Sequence, residues 1–333
     1  MGSKPQVWTD FAWQGVHLRV PEAWNLGRVD GNRESGYARL DDAEIVRAEV
    51  EWRALRRQVA EPVAALVGRY LDTLAKKARK TGVPFTFRRD AGFLRDRGWL
   101  AGREHELFTW EADYRAHNLA LKTPAGRILL LRLLCRPGEE LGRPGEAVFA
   151  SLEDHYGEEE WPWSLYGLSF VMPAAFRLES QELRSGHIQL TFQQGKETIR
   201  VQRLSLAQTL LRGTELAEWY PLFFRKQLRD LQVETGRAQV KGHPGLHVTG
   251  RPRSRWRQLL RPLPLISPRP RVWAETRVWH CQHSNKVCLV DHLSPRREAS
   301  AGLAARIADG YLCHQEAAPA DPPGDARLAA RPQ

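Results

Sequence analysis

Two stretches decide the reading of this chain: Phe11–Leu26, FAWQGVHLRVPEAWNL, and Trp163–Leu178, WSLYGLSFVMPAAFRL. At an offset of 152 residues Gly15 falls on Gly167, Pro21 on Pro173 and Trp24 on Phe176. Internal repetition of this kind changes the expected architecture, so it takes precedence over any single motif. Working outward, SGYARL (Ser35–Leu40) answers SGHIQL (Ser185–Leu190), and each leads into alternating apolar residues. Ile45, Val46, Ala48, Val50 and Trp52 carry the alternation in the first half, and Ile199, Val201 and Leu204 in the second. Period-two alternation predicts half-buried strands.

A helix is expected next in each half. Pro62 suits a first helical turn, and Val63, Leu66, Val67, Tyr70, Leu71 and Leu74 keep the spacing of a core-facing stripe. Lys76, Lys77, Arg79 and Lys80 complement the dipole at its end, and Gly82 caps it. In the second half the counterpart spans Glu215–Leu231, with a regular start near Pro221 and a stop before Thr235–Gly236. Short strands at Phe85–Arg88 and Ala238–Val240 follow, then loops, then a hairpin in each half that pairs Trp110 with Trp273. Small helices near Glu146–Tyr156 and Ala299–Leu312 close the two copies. The expectation is an α+β protein: two tandem antiparallel-sheet βββα-βββα domains, residues 7–157 and 163–314, packed as an intramolecular pseudo-dimer within a monomeric chain. Residues 158–162 form an acidic junction, and 315–333 have the Pro/Ala-rich composition of a disordered tail.

The opening of each copy, as in GVHLRVPEAW, together with the βββα-βββα order, resembles the PsbP/DcrB-like fold. That group includes the photosystem II subunit PsbP, the lipoprotein DcrB, a Ran-binding nuclear import factor and the Eag chaperones of type VI secretion. The resemblance covers 7–157 and 163–314 as a tandem duplication. It implies antiparallel sheets flanked by helices, and binding rather than catalysis. PsbP and DcrB are exported, and the start of this chain, MGSKPQVWTDFAWQG, has no apolar signal core. No binding residue of the group transfers to a position here.

Composition narrows the function classes. At 333 residues, 42% hydrophobic and 27% charged, the chain is long enough and apolar enough to bury a core. It has no run of 18 apolar residues that would span a bilayer. Four cysteines are too few for a disulfide scaffold and fit a reducing, cytoplasmic setting. No phosphate-binding loop, nucleophile elbow, dinucleotide fingerprint or metalloprotease motif is present, so no cofactor and no catalytic residue is expected. An enzyme without a recognisable signature stays as an alternative.

The net charge of +11 is concentrated: Arg251–Val272, RPRSRWRQLLRPLPLISPRPRV, holds seven arginines and no acid, and without them +4 is left. Arg251, Arg253, Arg255, Trp256, Arg257, Arg261, Arg269 and Arg271 are one candidate binding set; Arg95, Arg97, Trp99 and Arg103, in a loop read as equivalent, are the other. Aromatics among arginines anchor protein partners or stack on bases. A protein partner gripped by sheet faces and these paired loops is the leading reading, with an adaptor or chaperone role. Nucleic acid or another polyanion, bound through 251–272, is the alternative. Asp96 and Glu104 dilute the basic character of the first loop. One Cys/His concentration, WHCQHSNKVCLVDH, offers Cys281, His283 and Cys288 as metal ligands, although its first-half counterpart has no such set. Buried cysteines in hairpins ordinarily serve as small hydrophobes, so a packing role is expected and no metal.

Five prolines deny 251–272 regular structure, and surface-loop length costs little stability. Deleting Ser254–Ser267 is therefore expected to leave the melting temperature within a few degrees while weakening partner binding. Unfolding of the second half on deletion would show that the segment belongs to the fold's own packing.

Overall fold

In a computed structural model the chain is described for residues 6–55, 61–253, 272–297 and 302–314. It opens with a hairpin, β1 (Trp8–Trp13) and β2 (Val16–Pro21), and the second copy of the repeat opens with β11 (Glu160–Leu165) and β12 (Leu168–Pro173). The matched glycines have a shared cause. Gln14 and Gly15, like Tyr166 and Gly167, both have positive φ (52° and 83°; 49° and 69°), the two-residue turn whose twist matches the strands it joins. The matched prolines end their strands, and Trp24 and Phe176 each turn back to donate to the carbonyl of Pro21 or Pro173.

The two hairpins form one sheet. β1 pairs antiparallel with β11, and the registered pair is Ala12 with Ser164. A two-residue strand, β10 (Glu153–Asp154), flanks β2, giving the order β10-β2-β1-β11-β12. On the far edge Leu312 bridges Ser169 of β12. Part of the acidic junction is therefore strand, because Glu160–Pro162 begin β11.

Two seven-stranded antiparallel sheets carry the rest. In the first half, β3 (Asn25–Gly31), β4 (Ser35–Asp41) and β5 (Val46–Ala54) precede helix α1 (Val63–Thr81). Then come β6 (Thr86–Arg89), β7 (His105–Glu111), β8 (Arg115–Lys122), β9 (Arg127–Cys135) and α2 (Gly142–Ala150). In the second half, β13 (Arg177–Arg184), β14 (His187–Gln194) and β15 (Glu197–Ser205) lead to short helices α3 (Ala207–Leu211), α4 (Leu216–Phe223) and α5 (Arg225–Leu228). β16 (Leu231–Val240), β17 (His243–Pro252), β18 (Trp273–Cys281), β19 (Lys286–Ser294) and α6 (Leu303–Asp309) complete it. The spatial orders coincide: β3-β4-β5-β9-β8-β7-β6 and β13-β14-β15-β19-β18-β17-β16. Among the described residues, no helix is long and apolar enough to cross a membrane.

Several expectations need correction. Five strands, not three, precede the helix of each half and four, not three, follow it; the mostly exposed edge strands β3 and β13, interrupted by bulges, supply one of the extra strands in each half. Helix α1 matches its reading, with Pro62 before it, Val63, Val67 and Leu71 buried, and Gly82 capping it in the left-handed region. The second helix does not. It starts at Leu216 and stops two residues after Pro221, because burying Trp219 and Tyr220 on the sheet places the helical turns ahead of the proline. Thr235 and Gly236 lie inside β16 rather than after a helix. Trp110 and Trp273 do not correspond either: Trp110 is on β7, and Trp273 opens β18, the counterpart of β8.

One continuous core runs through both halves, from Trp52, Leu119 and Phe149 through Trp13 and Trp163 to Phe192 and Trp279. Trp13 and Trp163 meet edge to face at 5.0 Å across the shared sheet, and Phe192 stacks edge-on against Trp163 at 4.8 Å. Truncating a fully buried tryptophan removes its transfer energy and leaves a cavity. Trp13→Ala is expected to cost about 3–5 kcal/mol of unfolding free energy in denaturant titration. A loss under about 1 kcal/mol would mean that the two halves do not depend on this contact.

Candidate functional site

The two loops read as equivalent occupy opposite ends of corresponding sheets. The loop with Arg95, Arg97, Trp99 and Arg103 joins β6 to β7, whereas 253–272 joins β17 to β18. The true counterpart of the first is the tight Lys241–Gly242 turn between β16 and β17, in which both residues have positive φ. The structure therefore does not bring the two candidate sets together as a matched pair of loops. Arg255, Trp256, Arg257, Arg261, Arg269 and Arg271 lie outside the described residues. Arg251 stands 3.6 Å from Glu234, and Arg253 donates to the Leu231 carbonyl at 2.8 Å.

In the first half, the β6–β7 connection folds back onto its own sheet. Leu94 and Leu100 are buried, Phe93 and Trp99 pack against the same core, and Phe93 meets His117 at 4.8 Å and Phe149 of α2 at 5.3 Å. Two of its arginines are engaged locally, Arg95 lying 3.4 Å from Glu146 and Arg97 3.7 Å from Asp90, while Arg103 is exposed just ahead of β7. Trp99 is thus part of the domain's own packing, with its ring half-buried.

In the second half no described residue covers the same place in a comparable way. The ladders correspond row by row: β5, β9 and β8 align Glu49, Arg132 and Asn118, where β15, β19 and β18 align Arg200, Asp291 and Thr276. The position beside Asn118 is His117, and its counterpart beside Thr276 is Glu275. Glu275 lines a groove of about 430 Å³, together with Glu234, His247, Thr249, Arg251 and Trp273. Arg296 and Arg297 form one wall, and Gly302, just ahead of α6, stands at its end. Its polar groups are pre-set. Glu275 accepts from the Gly302 N–H at 3.1 Å and lies 3.5 Å from Arg277, while Arg297 sits 5.7 Å over the Trp273 ring. Acids and arginines alternate along it, which suits a polypeptide carrying both charges better than a uniform polyanion.

The sequence missed this groove because its residues read only as strand alternation. The signal that marks it is a length difference, a two-residue turn against the fifteen-residue connection between β6 and β7. Among the described residues the large exposed apolar side chains are spread over the molecule: Phe87 on β6, Val171 on β12, and Leu206, Leu222 and Phe223 in the helical layer of the second half are among them.

The cysteine expectation also changes. Cys288 lies in the core, where burial pushes its thiol up to about 12, and His283 sits in the turn, stacked on His314 at 4.6 Å. Of the three candidates Cys281 alone belongs to a cluster able to hold a metal ion, and its companions are His243, Cys313 and His314. His17, Glu153 and His155 form a second, more exposed cluster, with His17 held between Asp10 (3.2 Å) and Glu153 (3.1 Å).

No protein-family model matches the chain, and no curated protein matches it. Among solved structures it is similar to the cyanobacterial PsbP (CyanoP) of Synechocystis, at 9% identity and a TM-score of 0.34, over 46% of this chain and 96% of that one. It is also similar to TplEi, an immunity protein of the type VI secretion system from Pseudomonas aeruginosa solved with an "L" peptide. There the identity is 10% and the TM-score 0.31, over 91% of this chain and 97% of that one. The resemblance to PsbP read in the sequence recurs among these matches.

The covered first-half site has a titration signature. Burial, with Arg115 nearby, depresses His117 to about 4. The unfolded chain then binds the extra proton between that value and the ordinary pKa near 6.5, so His117 makes stability fall as pH drops through this window. In Phe93→Ala, NMR titration is expected to show His117 moving up toward 6.5, with a shallower loss of stability over the same range. An unchanged His117 would mean that Phe93 is not what shields it.

Proposed function

We propose that this is a cytoplasmic, non-enzymatic binding protein, an adaptor or chaperone, whose second-half groove takes an extended segment of a protein partner. One observation carries the reading: the place that the first half fills with its own Phe93, Leu94, Trp99 and Leu100 is, among the described residues, a groove in the second half. A concave site beside a rigid sheet, with pre-set donors and acceptors of both signs, suits a polypeptide. The same reading takes the chain as two copies of one domain joined as an intramolecular pseudo-dimer. The register supports it, since Ala12 pairs with Ser164, residues separated by the same 152 positions as the sequence repeat.

The test is to fill the groove from within. Thr249 is exposed on its floor, so Thr249→Trp occupies the space without disturbing the core. Captured from a nuclease-treated lysate of the native host, a specific protein partner is expected with the wild-type chain and lost with Thr249→Trp, at unchanged melting temperature. Equal recovery by both proteins would exclude the groove as the binding site. Binding that disappears on nuclease treatment would favour the polyanion reading instead.

A further inference from the structure

We propose that His243, Cys281, Cys313 and His314 form a four-ligand zinc site that fastens the chain after α6 to the second sheet. The residues come from three separate segments: the start of β17, the end of β18 and the turn beyond α6. One ligand atom from each lies within 4.8 Å of all the others. Cys313 Sγ is 3.3 Å from His243 Nε2 and 3.4 Å from His314 Nδ1, and Cys281 Sγ is 3.4 Å from the same Nδ1. Around a tetrahedral zinc, with bonds of about 2.3 Å to sulfur and 2.0–2.1 Å to nitrogen, neighbouring sulfur and nitrogen donors lie on the order of 3.5 Å apart. The observed spacings approach that edge length. Two thiolates with two imidazoles select zinc over the hard cations, which take oxygen donors. Three of the four are buried, which suits a closed structural site rather than a catalytic one with an open position.

The first half supplies an independent observation, because the same place there is also a clamp. Glu153 pairs with His17 of β2 as Leu312 pairs with Ser169 of β12, and 17 and 169 again differ by 152. Asp154 therefore corresponds to Cys313, and His155 to His314. Asp154 is held by Thr123 at 2.7 Å and by the buried guanidinium of Arg127. Thr123 follows β8 as Cys281 ends β18. Where the first half fastens its returning segment with a buried carboxylate, a hydroxyl and an arginine, the second half has replaced carboxylate and hydroxyl by two cysteines and brought two histidines beside them. Two thiols and two imidazoles now stand where the first half has its carboxylate clamp, and a zinc ion is the group that this donor set would hold.

The experiment uses the full chain, untagged and purified under reducing conditions. Elemental analysis is expected to find one zinc per chain, lost in Cys313→Ser and in His243→Ala but kept in Cys288→Ser, whose cysteine lies outside the set. Adding cobalt(II) to the metal-stripped wild type is expected to give the visible spectrum of a tetrahedral ion with sulfur-to-metal charge transfer, which needs no variant to fold. Substoichiometric zinc together with no such cobalt spectrum would overturn the proposal. So would a Cys281–Cys313 disulfide found by mass spectrometry after free thiols are blocked in the native protein.

Discussion

Everything else in the molecule is arranged around the antiparallel contact of β1 with β11. It is short, with Ala12 facing Ser164, but it lies over the edge-to-face pair Trp13 and Trp163, both almost wholly buried. Edge strands that remain unpaired expose their N–H and C=O groups, and joining the two hairpins removes that liability from the middle of the molecule. It also makes one sheet the floor for both seven-stranded sheets, so the apolar residues that face it from the two halves merge into one core, while those beneath the helices form a separate cluster in each half. Cross-links at the rim strengthen the junction: Arg33 donates to the Ala174 carbonyl at 2.6 Å, and the Tyr166 hydroxyl donates to the Leu26 carbonyl.

Upon this common frame the halves diverge through their connections and through single substitutions at matching positions. The central rows under the helices illustrate the second route. Glu49 pairs with Arg132 beneath Tyr70 in one half, whereas Arg200 and Asp291 take those rows beneath Tyr220 in the other. Asp291 is buried, accepts from Gln202 and Thr276 at 2.9 and 2.8 Å, and is pushed up by burial. Both clusters are satisfied internally, as buried polar groups must be. The connections make the larger difference, because lengthening a surface loop costs stability only logarithmically while it decides what covers a sheet. The long β6–β7 connection covers one concave face, and the two-residue β16–β17 turn is too short to cover the other.

The sequence carried the repeat because hairpin turns impose strict requirements: Gly15 and Gly167 answer to positive φ, Pro21 and Pro173 to strand ends. Helix α1 was equally legible, since its stripe and its glycine cap act locally. What stayed hidden depends on distant residues. β3 and β13 are mostly exposed edge strands whose few core-facing residues, Leu26 and Val29, Leu178 and Leu183, are thrown out of alternation by bulges. Pro221 marked an irregularity but not where the helix would begin: α4 runs through the proline from Leu216 to Phe223, and α5 follows it. The equivalence of the loops failed because Trp110 and Trp273 match in type but not in strand. The ligand set escaped because its members lie in three segments that only the sheet order brings together, and spacing rules see only neighbours in the chain.

The central claim is that the shared sheet makes the two halves one cooperative structure. Native-state hydrogen exchange across a denaturant series tests it most directly, by following the amides of β1 and β11 beside those of β9 and β19. The account predicts that all four strands exchange through one global opening with a common free energy and a common denaturant dependence. Two separate openings, with β1 and β11 exchanging well before either seven-stranded sheet, would contradict it.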